Sequence, residues 1–201
     1  MTMTEQSAPA PARRRLGATD LALVAAFAAF VAVCAVLGGF PLGGSGINLT
    51  LQTFGVLLAG ALLGPVRGFL AVALYLVLAA VGLPVLSGHA GGLAPFVGAS
   101  AGYLFTFPVA AAVIGLAVAL VARRTGSVLA LGIAVVVGGV LATVVNHLGG
   151  VAGMKVYFGV DWVTAFSYDA PFWAGDLIKV ALVALVAVPV HRAFPRLLAR
   201  G

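Results

Sequence analysis

The 201 residues include eleven Lys/Arg and five Asp/Glu, so 8% of the chain is charged, while 63% is hydrophobic and mean hydropathy is +1.19. Soluble domains are about one-quarter charged, which excludes a soluble globular protein. The net charge of +6 and the pI near 10.3 do not imply nucleic acid as a partner, because no polar basic face exists to bind it.

In chain order, residues 1–18, with Pro9, Pro11 and the Arg13-Arg14-Arg15 cluster, read as a disordered cytoplasmic N-terminal tail. The apolar stretch that follows has no A-x-A exit site, and Val31-Ala32-Val33 ahead of Cys34 does not suit lipoprotein cleavage, so a transmembrane span is expected rather than a signal peptide. Cys34 is the chain's single cysteine and has no disulfide or CxxC partner. Spans of about 20 apolar residues are expected near 19–38, 48–64, 66–83, 98–122, 128–153 and 171–191. The fold class is therefore an all-α integral membrane protein, with residues 19–201 forming a single membrane domain of six transmembrane helices. The second and third spans are divided only by Leu63-Gly64-Pro65-Val66-Arg67-Gly68, a tight hairpin.

Two connections are long. Residues 84–97 are Gly-rich yet apolar, which predicts a partly re-entrant outer loop; an interfacial linker is the alternative. Residues 154–170 hold Tyr157, Trp162 and Tyr168 with Asp161 and Asp169, and read as an aromatic interfacial belt or as a lid over an outward pocket. With six spans, Arg13, Arg14, Arg15, Arg67, Arg123, Arg124, Arg192, Arg196 and Arg200 share one side and Lys155 takes the other. That asymmetry predicts cytoplasmic N- and C-termini and a multi-pass protein of the bacterial cytoplasmic membrane.

Asp176 and Lys179, at i and i+3 in Gly175-Asp176-Leu177-Ile178-Lys179, share a helix face inside the last span. At about 1.5 Å per residue they lie roughly 6 and 10 Å below its outer end. Each charge costs at least about 2.5 kcal/mol at mid-bilayer, so both must face the bundle interior or a wet cavity. A mutual ion pair would neutralise them; a ligand that needs one acceptor and one cationic donor gives the pair a reason to persist, since apolar replacements of such pairs are often neutral.

Gln52 sits deep enough in the second span to serve a pocket or an interhelical bond, whereas Asn48 and Thr50 fit the capping of a helix start. Asn146 and His147 in the fifth span pose the same choice, with the interhelical role favoured. Tyr103 and Trp173 can stack on the apolar body of a ligand or anchor at the headgroups. His89, in the 84–97 loop, can reach a ligand, but a lone histidine makes no metal site, and His191 reads as interfacial. Ala22, Ala25, Ala26, Ala29 and Ala32, joined by Ala28, build small-xxx-small pairs on the first span, a face for docking a partner helix or for packing within the bundle. No P-loop, H-E-x-x-H or G-x-S-x-G occurs, so neither an ATPase nor an enzyme is expected, and no metal or cofactor is implied.

The run Leu49-Thr50-Leu51-Gln52-Thr53-Phe54-Gly55 through Leu63-Gly64-Pro65, then Gly82-Leu83-Pro84-Val85 with Gly91-Gly92, then Gly102-Tyr103, and Gly175-Asp176-Leu177-Ile178-Lys179, resemble the BioY family, the biotin-specific substrate-binding S components of energy-coupling factor (ECF) vitamin transporters. The resemblance covers about residues 45–180. It implies a six-helix membrane protein that binds biotin near the outer surface and works with a transmembrane coupling subunit and two cytoplasmic ATPases. By position it assigns Asp176 and Lys179 to polar ligand contacts, places Gln52 in the second-span motif, and places Gly88, Gly91 and Gly92 in the ligand loop. The chain departs from the family where it has Ala90 for Asn, Tyr103 for Arg, and Gly98-Ala99-Ser100-Ala101-Gly102 for G-P-[TS]-G-G. The other functions weighed are an S component for another small vitamin and an intramembrane enzyme using Asp176 with Asn146 or His147.

Overall fold

A computed structural model describes residues 16–42, 44–195 and 197. The expected tail up to residue 15, and Arg13, Arg14, Arg15, Arg196 and Arg200 of the orientation argument, lie outside the described residues. The described chain runs α1 (Ala18–Val36), β1 (Gly39–Pro41), β2 (Asn48–Thr50), α2 (Gln52–Leu63), α3 (Pro65–Ala80), α4 (Ala101–Ala122), α5 (Val128–Phe158), α6 (Trp162–Asp169) and α7 (Phe172–Ala193). Helices α1, α4, α5 and α7 are long and apolar enough to cross a membrane; α2 and α3 are apolar but shorter, at 12 and 16 residues.

Local chemistry sets these boundaries. Gly64, at φ +83°, lets the chain reverse between α2 and α3, and Pro65 starts α3 where no N–H is needed. Ser127 caps α5 by accepting from the Ala130 N–H, and Asp161 caps α6 by accepting from the Thr164 N–H at 2.7 Å.

Several elements depart from the sequence reading. Residues 48–50 are not the start of the second span but a strand, paired antiparallel with 39–41 in the register Gly39–Thr50, Phe40–Leu49 and Pro41–Asn48. Helix α2 therefore begins at Gln52, and Thr50 Oγ1 accepts from its N–H in the turn that precedes it. Residues 98–100 lie ahead of α4 rather than in it. The expected 154–170 connection is shorter, because α5 continues to Phe158 and α6 occupies 162–169. Residues 84–97 form irregular backbone with 3-10 turns at Ser87–His89 and Ala94–Phe96.

Almost every residue of α2 is buried, as expected of a helix that is apolar all round and packs against α1, α3, α4 and α7. The outer helices keep large apolar side chains exposed, such as Leu21, Val77, Leu129, Leu148 and Leu185. Glycines let the inner helices touch. A Cβ on Gly60 would lie 2.1 Å from the Ala111 carbonyl oxygen where α2 crosses α4, and one on Gly102 would lie 2.0 Å from the Gly149 carbonyl oxygen where α4 crosses α5.

One end of the bundle is held by a buried ion pair that local sequence does not reveal. Arg67, in the hairpin expected between the second and third spans, is fully buried in the first turn of α3; its Nη1 donates to Asp20 Oδ1 of α1 at 3.1 Å, its Nε to the Leu63 carbonyl, and its Nη2 to the Leu197 carbonyl beyond α7. His191 is likewise not interfacial but buried, with Nε2 2.9 Å from the Ala61 carbonyl oxygen. These contacts gather the starts of α1 and α3 and the ends of α2 and α7 at one end. The β1–β2 hairpin lies at the opposite end of α1.

Candidate ligand pocket

A cavity of about 250 Å³ lies between the hairpin, the 84–100 segment and helices α2, α4, α5 and α7. That is near the small end of ligand sites, which run about 300–1,000 Å³. Its walls are apolar at Ile47, Leu49, Leu86, Leu104, Phe107 and Phe172, and half of its lining residues are polar, among them Asn48, Gln52, Ser87, Asn146, Asp176 and Lys179.

Asp176 and Lys179 both line the cavity from α7. The Lys179 ammonium donates to Asp176 Oδ1 at 2.7 Å, with the two side chains 7% and 6% exposed, so the pair is mutual as well as turned to the pocket. Gln52 lines the cavity from the first turn of α2, and its Nε2 donates to the Tyr75 hydroxyl at 2.9 Å; Tyr75 in turn donates to the Val85 carbonyl at the start of the loop. Gln52 thus has both roles left open for it. Asn48 is not a helix cap: it lies in β2, faces the cavity and donates from Nδ2 to Ser87 Oγ at 3.1 Å, joining the hairpin to the loop. Asn146 also lines the cavity while its Oδ1 accepts from Thr106 Oγ1 of α4 at 3.0 Å.

Tyr103 lines the pocket with its ring lying against Gly150, where a Cβ would come within 2.1 Å of the ring carbon that bears the hydroxyl. That hydroxyl donates to Asp169 Oδ1. Asp169, at the last residue of α6, is fully buried and also accepts from Trp173 Nε1 at 2.7 Å, with His147 Nδ1 2.6 Å from its Oδ1. His147 is 1% exposed, stacks on Trp173 with ring centroids 4.4 Å apart, and holds its Nε2 3.2 Å from Asp176 Oδ2, off the line of a straight hydrogen bond.

The other sequence candidates stand beside the cavity rather than on it. From the 84–97 loop the lining residues include Ser87 and Ala90, and not Gly88, His89, Gly91 or Gly92. Gly88 and Gly92 have positive φ and shape the turns; a Cβ on Gly91 would meet the Leu83 carbonyl oxygen at 2.4 Å. His89 is exposed. On α7 it is Phe172, not Trp173, that reaches the cavity. Among the described residues, no cluster of three His, Cys, Asp or Glu side chains could hold a metal.

Four apolar helices of membrane-spanning length and a cavity with a buried acid–base pair in its wall define a helical protein of the membrane type with an internal pocket. The chain belongs to the BioY family, whose sequence pattern matches residues 3–196. It is 41% identical over 189 residues to the Rhodobacter capsulatus protein described as biotin transporter BioY, covering 90% of this chain and 98% of that one. It is 37% identical to the Rhizobium etli protein of the same description, again covering 90% and 98%. Among solved structures it resembles the S component for biotin from an ECF-type ABC transporter, with a TM-score of 0.76 and 26% identity over 87% of this chain and 91% of that one.

Proposed function

We propose that this protein is the biotin-binding membrane subunit of an ECF-type vitamin uptake system, a transporter component and not an enzyme. The observation that carries this reading is the buried Asp176–Lys179 pair in the wall of a cavity lined by both polar and apolar side chains, in a chain of the BioY family. Biotin has a ureido ring with N–H donors and a carbonyl acceptor, an apolar thioether bicycle and a carboxylate tail. Asp176 accepts a ureido N–H, and Lys179 donates to the ureido oxygen or pairs with the carboxylate. The Asp176–Lys179 bond that stabilises both charges opens as the ligand replaces each partner. Phe172, Phe107, Leu104 and the Tyr103 ring enclose the bicycle, and Gln52 and Asn48 add polar contacts. Gly88, His89, Gly91, Gly92 and Trp173 act from behind the lining, the glycines by giving the loop the backbone shape that brings Ser87 and Ala90 inward.

In this reading the chain makes six passes as one membrane domain, with α2 and α3 as the second and third. These helices reach only about 18 and 24 Å. Arg67, Arg123, Arg124 and Arg192 then share the cytoplasmic side with both termini, which the meeting of Asp20, Arg67 and Leu197 supports. The 84–97 loop closes the outer side, partly re-entrant. Ala22, Ala25, Ala26 and Ala29 are exposed and Ala32 half-buried, a flat face suited to the transmembrane coupling subunit, which links the protein to two cytoplasmic ATPases. Equilibrium binding of labelled biotin to the purified chain, competed with a panel of other vitamins, tests the substrate. Displacement by unlabelled biotin alone is expected; displacement by a different vitamin at lower concentration would reassign it.

A further inference from the structure

His147 belongs to no ligand contact described above, yet it is buried at the junction of three elements. Asp169 holds its Nδ1 from α6, Trp173 of α7 stacks on its face, and its Nε2 lies 3.2 Å from Asp176 Oδ2, the oxygen that Lys179 does not bind, but out of line for a hydrogen bond. Each ring nitrogen thus lies close to a carboxylate oxygen, Nδ1 bonded to Asp169 and Nε2 a small realignment away from Asp176. The same Asp169 accepts from Tyr103, whose ring lines the cavity. One carboxylate on α6 therefore reaches the pocket by two routes. A third contact joins α6 to the site: a Cβ on Gly44 would lie 3.4 Å from the Tyr168 ring, and the adjoining Gly46, Ile47 and Asn48 line the cavity.

We propose that His147 is a positioning residue for biotin binding, fixing the Asp176 carboxylate from behind and coupling it through Asp169 to the seating of α6. The inference rests on the reading of the cavity as the biotin site. When Lys179 turns toward the ligand, Asp176 exchanges an ammonium on Oδ1 for a neutral ureido N–H, a weaker donor to a buried carboxylate. His147 makes up the difference by aligning its Nε2 with Oδ2, a shift that needs α6 to hold Nδ1 in place. Binding and the ordering of α6 are then one event.

The test is equilibrium biotin binding by the purified full-length chain in detergent, together with amide hydrogen exchange across residues 162–169. His147→Leu should weaken binding at least about tenfold, the size of one lost hydrogen bond to a charged group. His147→Gln, which keeps an N–H donor near Asp176, should bind within about threefold of the unaltered chain. Asp169→Asn should weaken binding about fivefold or more alone and at least about twofold less than that when His147→Leu is already present, because part of its effect passes through His147 and the rest through Tyr103. Biotin should slow exchange in α6 of the unaltered chain and fail to do so in His147→Leu at saturation. Should His147→Leu fold poorly, the same cycle between His147→Gln and Asp169→Asn decides, with non-additivity again expected.

Three results overturn the proposal: His147→Leu binding within twofold of the unaltered chain, additive effects of the His147 and Asp169 substitutions, or ligand protection of α6 that survives His147→Leu. Failure of the unaltered chain to bind biotin would instead overturn the functional reading beneath it.

Discussion

Lys179→Met isolates the energetics of the central pair. In the unaltered protein the ammonium lies 2.7 Å from Asp176 Oδ1 and neither side chain is more than 7% exposed. Removing one partner of a buried pair costs about 3–5 kcal/mol, because a charge remains in low dielectric without its counterion. His147 Nε2, 3.2 Å from the other Asp176 oxygen, offsets part of that, which places the loss near 3 kcal/mol. For a chain of this size that corresponds to a fall in Tm of about 6–12 °C. The double variant Asp176→Asn/Lys179→Met leaves no orphaned charge and keeps the volume of both side chains, so most of the stability should return. Biotin binding should not return, because both ligand-directed groups are gone. Thermal unfolding in detergent, followed by tryptophan fluorescence, reads the first quantity, and biotin titration of the same samples reads the second. A single variant that melts with the unaltered protein would refute the buried-charge argument. So would a double variant as unstable as the single one.

Other consequences lie away from the pair. Gly102→Ala must push α4 off α5, since its new methyl would sit 2.0 Å from the Gly149 carbonyl oxygen, whereas Gly126→Ala meets nothing within 4 Å; the first should lower the yield of folded protein sharply and the second leave it unchanged, read by size-exclusion profiles. A double-mutant cycle of Asp20→Asn and Arg67→Met should give a coupling above about 0.5 kcal/mol in thermal unfolding, and additivity would show that the pair holds nothing together. The backbone hydrogen bond from Thr164 holds the Asp161 carboxyl below its ordinary range. That depressed pKa makes the α6 cap effective above the normal carboxylate pKa of about 3.9 and lost as pH falls through the lower folded value. Asp161→Ala should therefore speed amide exchange in α6 at neutral pH but not at acid pH; an equal effect at both would exclude the cap.

What could be read from sequence was local. Asp176 and Lys179 sit three residues apart, so helical periodicity alone puts them on one face, and Gln52 and Tyr103 lie in apolar runs where a polar group draws notice. The contacts that complete the site are not local: His147 meets Asp169 across 22 residues and Asp20 meets Arg67 across 47. Asp169 in particular sits among aromatic residues that look interfacial, and only the turn after α5 carries it inward. Glycines play two parts that their positions in the sequence do not separate. Those at 149, 150 and 153 suggest a helix end, but they are contact points for Gly102, Thr106 and Tyr103 of α4, and α5 runs on to Phe158. Those at 88, 91 and 92 suggest ligand contacts, but they bend the loop so that their neighbours face the cavity. The hairpin did leave a signal in Gly38-Gly39-Phe40-Pro41 and Gly44-Ser45-Gly46, a turn-rich break between two apolar runs.

The most direct measurement of the central claim is isothermal titration of the purified full-length chain with biotin in detergent, beside Asp176→Asn and Lys179→Ala. The account predicts saturable binding at one site per chain, weakened at least about tenfold by either substitution. Absence of biotin binding by a folded, monodisperse preparation would contradict the proposed function; binding that neither substitution alters would contradict the site.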